Sequence, residues 1–111
     1  MDTTSSNIRM AKQRPQSVSV ERPERSAKAV GRRLWKVRKV RKLSQVEISK
    51  RLGIIQATYS AYEVGARMLS LSVASVFCDE FHVTLDYLFH GDDSGLPLPL
   101  ADALAELNGD K

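Results

Sequence analysis

The sequence predicts an all-α fold. Three observations carry this. The stretch Leu43–Glu63 reads as two short helices and a tight turn. Apolar residues recur at helical spacing, as in Val30, Leu34 and Val37 at i, i+4 and i+7. Helix-capping residues stand at intervals: Ser26, Ser44, Ser70 and Thr84.

Taken in order, Met1–Arg25 is rich in Ser, Thr, Gln, Arg and Pro and has few large apolar residues. It cannot bury enough surface to offset its ordering entropy, so residues 1–25 are expected to be a disordered arm. Its Arg9, Lys12, Arg14, Arg22 and Arg25 make it basic. A solubilising leader and a functional basic arm are both consistent with that. Ser26 caps a helix running to about Lys42, with Arg32, Arg33, Lys36, Arg38, Lys39, Arg41 and Lys42 outside its buried stripe. Trp35 lies off the stripe and covers the core edge. Leu43 closes the first corner.

Ser44 with Glu47 makes a capping box for the next helix, whose Ile48 and Leu52 share one face. Gly53 takes the left-handed conformation that ends it. Tyr59 and Tyr62 share a face of the following helix. Two helices this short need support from the rest of the chain. Residues 64–69 are a loop. Ser70 caps a helix through about Phe81, with Ala74, Phe77, Cys78 and Phe81 inward. Thr84 caps a last short helix with Leu85, Leu88 and Phe89 inward. That is five helices in about 65 residues, a domain over 26–91. Residues 92–111 are a linker and a short helix opening at Pro99 and closing at Gly109, with Leu100, Leu104 and Leu107 on one strip. This strip either folds back on the domain or meets a second chain. In a monomer, Tyr87 and these leucines are expected to be exposed as the dimer contact.

Charge is unevenly distributed. Residues 1–60 carry 15 Lys/Arg against four acids, while residues 61–111 carry two against nine. A basic half leading into the two-helix unit points to a polyanionic partner. One cysteine, Cys78, permits no intrachain disulfide. No apolar run reaches membrane-span length, and the polar N-terminus has no signal-like apolar segment, so the expectation is a cytoplasmic protein with no membrane partner. Cys78 and His82 stand four apart, but no third ligand is near in sequence, so neither a metal nor another cofactor is expected. No nucleophile–base pair, phosphate-binding glycine loop or paired-carboxylate spacing stands out, which argues against an enzyme.

The stretch Val30–Phe89 resembles the Cro/C1-type helix-turn-helix family, also called the XRE family. The matching pieces are Gly31-Arg32-Arg33-Leu34, Leu43-Ser44-Gln45, Leu52-Gly53-Ile54, Tyr62-Glu63-Val64-Gly65, Ser70-Leu71 and Val83–Phe89, in order and without a gap. The resemblance implies a lambda-repressor-like five-helix domain. It also implies a transcriptional regulator, a repressor in the leading reading, that binds double-stranded DNA as a homodimer. The helix at about 55–62 would enter the major groove. Base-edge candidates are Gln56, Ile55, Ala57, Ser60 and Ala61. Gln56 leads, because an amide pairs bidentately with adenine. Ile55 and Ala57 suit a thymine methyl. Phosphate candidates are Gln45, Thr58, Arg67 and Arg33. Arg33 and Arg38 also have a structural reading, in which Arg38 pairs with Glu63 or Glu47.

The recognition surface departs from the family habit. Ile55 stands where a Ser or Thr cap is usual, and Ala57 and Ala61 replace long polar groups. Direct readout is therefore expected to be modest, with shape and phosphate contacts contributing more. A competing reading keeps the fold but makes it an antitoxin-like or coactivator-like interaction module, its protein partner meeting the C-terminal tail.

Overall fold

The computed structural model describes residues 22–107. Within them, a 3-10 turn (Pro23–Arg25) precedes six α-helices: α1 (Ala27–Val40), α2 (Gln45–Leu52), α3 (Gln56–Val64), α4 (Leu71–Phe81), α5 (Leu85–His90) and α6 (Leu98–Glu106). Among the described residues there is no strand. The expected five-helix domain is present as α1–α5, with the expected tail helix as α6.

The caps form where the sequence places them. Ser26, Ser70 and Thr84 each accept from the backbone N–H three residues on. Ser44 and Glu47 complete both halves of a capping box. Gly53 ends α2 at φ 74°, a left-handed conformation that costs glycine nothing. His82 ends α4 in the same region, at φ 61°.

α1 is the central helix, packing on α3, α5, α6 and the 3-10 turn. Its Val30, Leu34 and Val37 are fully buried with Ile48, Tyr59, Ala74, Phe77, Phe81 and Leu88. The tightest approach is at Gly31, where a Cβ would lie 2.4 Å from the carbonyl oxygens of both Tyr62 and Glu63. Glycine there lets α1 cross the C-terminal turn of α3 in backbone contact.

Three expectations need correction. The domain starts before Ser26: Pro23–Arg25 packs on α1 and α5, because a proline-started 3-10 turn lays the chain against them. The expectations for Arg9, Lys12 and Arg14 lie outside the described residues.

Within one molecule two of the three strip leucines, Leu100 and Leu104, are already covered, while Leu107 is half-buried. Leu96, Leu100 and Leu104 are buried within one molecule, and Tyr87 is only 6% exposed. The turn at Asp93–Leu96 sends α6 back onto α1, so Leu100 and Leu104 join the core, and Leu104 lines one cleft with Tyr87. Third, Leu85 points outward at 39% exposure, while Tyr87 takes an inward place on α5. With α6 seated, the inner face of α5 is centred on Tyr87 and Leu88. Burial also pushes the Tyr87 phenol up to about 12.

This assigns α6 a measurable stabilising role. Leu104→Ala should cost about 2 kcal/mol, the low end for a buried leucine, because the site lies at the edge of the core. Urea unfolding reads this directly. A change below about 0.5 kcal/mol, within the range of ordinary surface substitutions, would show that α6 contributes no packing.

Candidate nucleic-acid interface

The site is built from the two short helices. α2 begins at Gln45, and its first-turn N–H groups point out of the helix end. The Glu47 amide is satisfied by Ser44 Oγ at 3.1 Å. The side-chain hydroxyl of buried Ser49 donates back to the Gln45 carbonyl. At the far end Ile54 N–H donates to the Ser49 carbonyl at 3.1 Å, turning the chain sharply into α3. Ile55 is the N-cap of α3 and gives no side-chain cap, so the first turn of α3 relies on the Ile55 carbonyl, which accepts from Thr58 and Tyr59.

Exposure divides the base-edge candidates. Ile55, Gln56 and Ala57 are exposed, Ile55 at 70%. Ser60 and Ala61, further along the helix, are half-buried, as is Thr58. The accessible surface is therefore concentrated on the first turn of α3. Arg67 is exposed beyond the other end of the helix, its guanidinium 5.7 Å from the centre of the Tyr62 ring.

Arg33 lies elsewhere. It donates to the Leu88 carbonyl at 2.9 Å and lies against Gly91, tying α1 to α5. Burial lowers its pKa. The Arg33 guanidinium is thus held at the α5 end of the molecule.

Arg38 takes the structural role. Its Nε and Nη2 grip both oxygens of Glu63 at 2.8 and 2.9 Å, and its Nη1 donates to the Leu43 carbonyl at 3.0 Å. The pair is largely withdrawn from solvent, with side-chain exposures of 12% and 6%. Tyr59 Oη donates to Glu63 at 2.5 Å, and Gln45 Nε2 donates to it at 2.9 Å. Burial pushes the Glu63 carboxyl up, but the hydrogen bonds from Arg38, Tyr59 and Gln45 outweigh it and hold the group below the ordinary carboxylate range. Burial and the bond to Glu63 push the Tyr59 phenol well above its ordinary value.

Sequence reasoning missed the link from this cluster to Gln45. The i, i+4 spacing of Tyr59 and Glu63 was the available signal. The 18-residue separation of Gln45 and Glu63 gives none by itself. Gln56 Nε2 stands 3.5 Å from Gln45 Oε1, bringing the two expected contact glutamines together. Two short helices, joined at a left-handed glycine and packed on a third, thus present adjacent amides beside a helix N-terminus.

The helix-turn-helix family profile matches residues 36–88, which include this whole unit. Over residues 36–88 this match makes the chain similar to the helix-turn-helix family. Over 61 residues it is 36% identical to an uncharacterized HTH-type transcriptional regulator, YqaE, of Bacillus subtilis (strain 168). The match covers 55% of this chain and 53% of the relative, so the chain spans about half the length of the curated relative it matches. No solved structure gives a significant match. Among the described residues, no three His, Cys, Asp or Glu side chains gather as a metal site. No helix there is long and apolar enough to cross a membrane. The helix-turn-helix unit is α2–turn–α3, with α1 and α4 as its support.

Proposed function

We propose that this chain is a sequence-specific DNA-binding transcriptional regulator. In this reading α3 lies in the major groove and the N-terminus of α2 abuts a phosphate. The observation that carries it is the exposed first turn of α3, Ile55-Gln56-Ala57, set beside the Gln45 end of α2. Gln56 reads adenine, and Ile55 and Ala57 meet thymine methyl groups. Gln45 and Arg67 contact phosphate, and Thr58 holds the helix at the backbone. The basic composition of residues 1–60 supplies the attraction.

A homodimer belongs to the proposal, because one helix of nine residues touches few base pairs and pairing doubles the footprint. The interaction-module reading loses its main motivation, since Leu100 and Leu104 are already covered by the domain itself.

Titration into labelled duplex at several salt concentrations tests the reading. With about five phosphates neutralised, affinity should fall by about 10²–10³-fold between 50 and 200 mM salt. A flat response rejects it. Gln56→Ala should lower discrimination between operator and random duplex by about tenfold while leaving random-duplex affinity nearly unchanged. Light scattering on the complex that showed one copy per operator would remove the dimer.

A further inference from the structure

A cleft of about 270 Å³ lies between α1, α5 and α6, and none of its walls comes from α2 or α3. α1 contributes Arg33 and Lys36, neighbours on one face of the helix. The Leu88 carbonyl, accepting from Arg33 Nη1 at 2.9 Å, fixes the guanidinium. Gly91 caps α5 in the left-handed region and lets that guanidinium come close, since a Cβ there would stand 2.8 Å from Nη2. Tyr87 lines the cleft as a neutral hydroxyl, because burial keeps its phenol protonated. The loop after α5 supplies Asp93. It is shaped by the Ser94 N–H donating to Asp92 Oδ1 at 3.0 Å and the Leu96 N–H donating to the Asp93 carbonyl at 3.1 Å. Leu104 and Ala105 of α6 make the apolar wall.

The lining selects a ligand by charge and by donors. Two cations face one carboxylate, which leaves a net of one positive charge. Burial lowers the Lys36 ammonium, and the positive charges of Arg32 and Arg33 lower it further, so an anion placed here relieves a real repulsion. A monoanion balances the lining, whereas a dianion meets the charge of Asp93 in the same small space. Ionised Asp93 accepts and cannot donate, so the ligand must bring a donor. An ammonium would be repelled by Arg33 and Lys36, and a hydroxyl is not. The volume is room for about nine waters at ~30 Å³ each, and so for a compound below drug size. We propose that this cleft binds a small monocarboxylate bearing a hydroxyl group, its carboxylate held by Arg33 and Lys36 and its hydroxyl by Asp93 and Tyr87. The carbon chain of the ligand lies against Leu104 and Ala105, so occupancy ties α6 to α1 and α5. The site goes beyond the DNA reading above and does not rest on it.

The test titrates 3-hydroxybutyrate into the full chain without DNA and follows proton–nitrogen spectra. Saturating shifts should gather on the amides of Lys36, Tyr87, Gly91 and Ala105, with half-saturation at about 1 mM, ordinary for so small a ligand in an open cleft. Lys36→Gln should weaken binding about tenfold. Lys39→Gln removes the same charge from α1 outside the cleft and should change binding by less than about twofold. Arg33 is left intact, because it ties α1 to α5.

Butyrate lacks only the hydroxyl and should bind about three- to tenfold more weakly than 3-hydroxybutyrate. In Asp93→Ala that ratio should fall to within about twofold of unity, whatever the change in overall anion affinity. Asp93 is exposed, and its backbone carbonyl remains available to Leu96, so the variant should fold. Inorganic phosphate should bind more weakly than 3-hydroxybutyrate. Shifts that fail to saturate, or that spread along α1 to Lys39 and Lys42, overturn the site. Equal weakening by Lys36→Gln and Lys39→Gln overturns it too, because the attraction then belongs to the whole basic face. Phosphate binding as tightly, or a hydroxyl preference unchanged in Asp93→Ala, overturns the ligand assignment. Each of these failures leaves the DNA reading standing, since no arm contains a duplex.

Discussion

Arg38→Ala is expected to destabilise the domain by about 3–5 kcal/mol, because it strands a carboxylate that the fold has withdrawn from water. Glu63 has 6% side-chain exposure, and Arg38 supplies two of its hydrogen bonds. The Leu43 carbonyl loses its donor at the same stroke. A loss of this size is a large part of the 5–15 kcal/mol that holds a small domain together.

The pH dependence should identify the cause. In the parent, the Glu63 carboxyl is held below its ordinary value, so its contribution is present above the unfolded value of about 4.3. It is lost as pH falls through the lower folded value. Without Arg38, burial prevails and raises the Glu63 carboxyl instead. Acidification then relieves the variant by protonating the stranded group while it weakens the parent. The stability difference should therefore be widest near neutral pH and narrow toward pH 4. Urea unfolding at three pH values reads it. A difference that is small at pH 7, or constant with pH, would show that the pair is an ordinary surface contact.

Gly31→Ala should be the other severe change, despite its favourable local effect. In an isolated helix, Ala is better than Gly by about 1 kcal/mol. Here the added methyl would lie 2.4 Å from two carbonyl oxygens of the last turn of α3. Those are backbone atoms and cannot rotate aside, so α1 and α3 must separate. The net loss should fall at or above the upper end of the roughly 1–3 kcal/mol typical of overpacking. The same displacement shifts α3 relative to α2, so operator affinity should fall beyond what stability alone explains. Thermal unfolding and duplex titration together check this. A variant more stable than the parent would mean that the two helices are not in contact at Gly31.

Much of the fold could be read from the chain. The capping box at Ser44 and Glu47, the glycine at 53 and the spacing of Val30, Leu34 and Val37 act within one or two turns, where local hydrogen bonds and periodicity decide. The ion pair of Arg38 with Glu63 was legible as one of two options, since both Glu63 and Glu47 were within plausible reach. Packing chose Glu63, because α1 crosses the end of α3 at Gly31 and carries Arg38 to the Glu63 side.

The tail was not legible. A one-leucine strip fits a second chain as well as its own domain, and its resolution depends on the space that α1 and α5 leave open. Leu85 and Tyr87 exchanged roles for the same reason: a helix of six residues has too little periodicity to declare its inner face. The contact of Arg33 with the Leu88 carbonyl was likewise not legible, because a cation's partner is set by which carbonyl the fold leaves beside it.

By itself, then, the sequence determined where helices start and stop, which short pair forms the turn, and which residues stand at its tip. Those are matters of neighbouring residues and their hydrogen bonds. Only the tertiary structure decided that α6 belongs to the core, that Arg33 serves α5, and that Glu63 joins Arg38, Tyr59 and Gln45. These contacts join residues far apart in the chain, and their energy exists only once packing has brought the partners within a few ångströms.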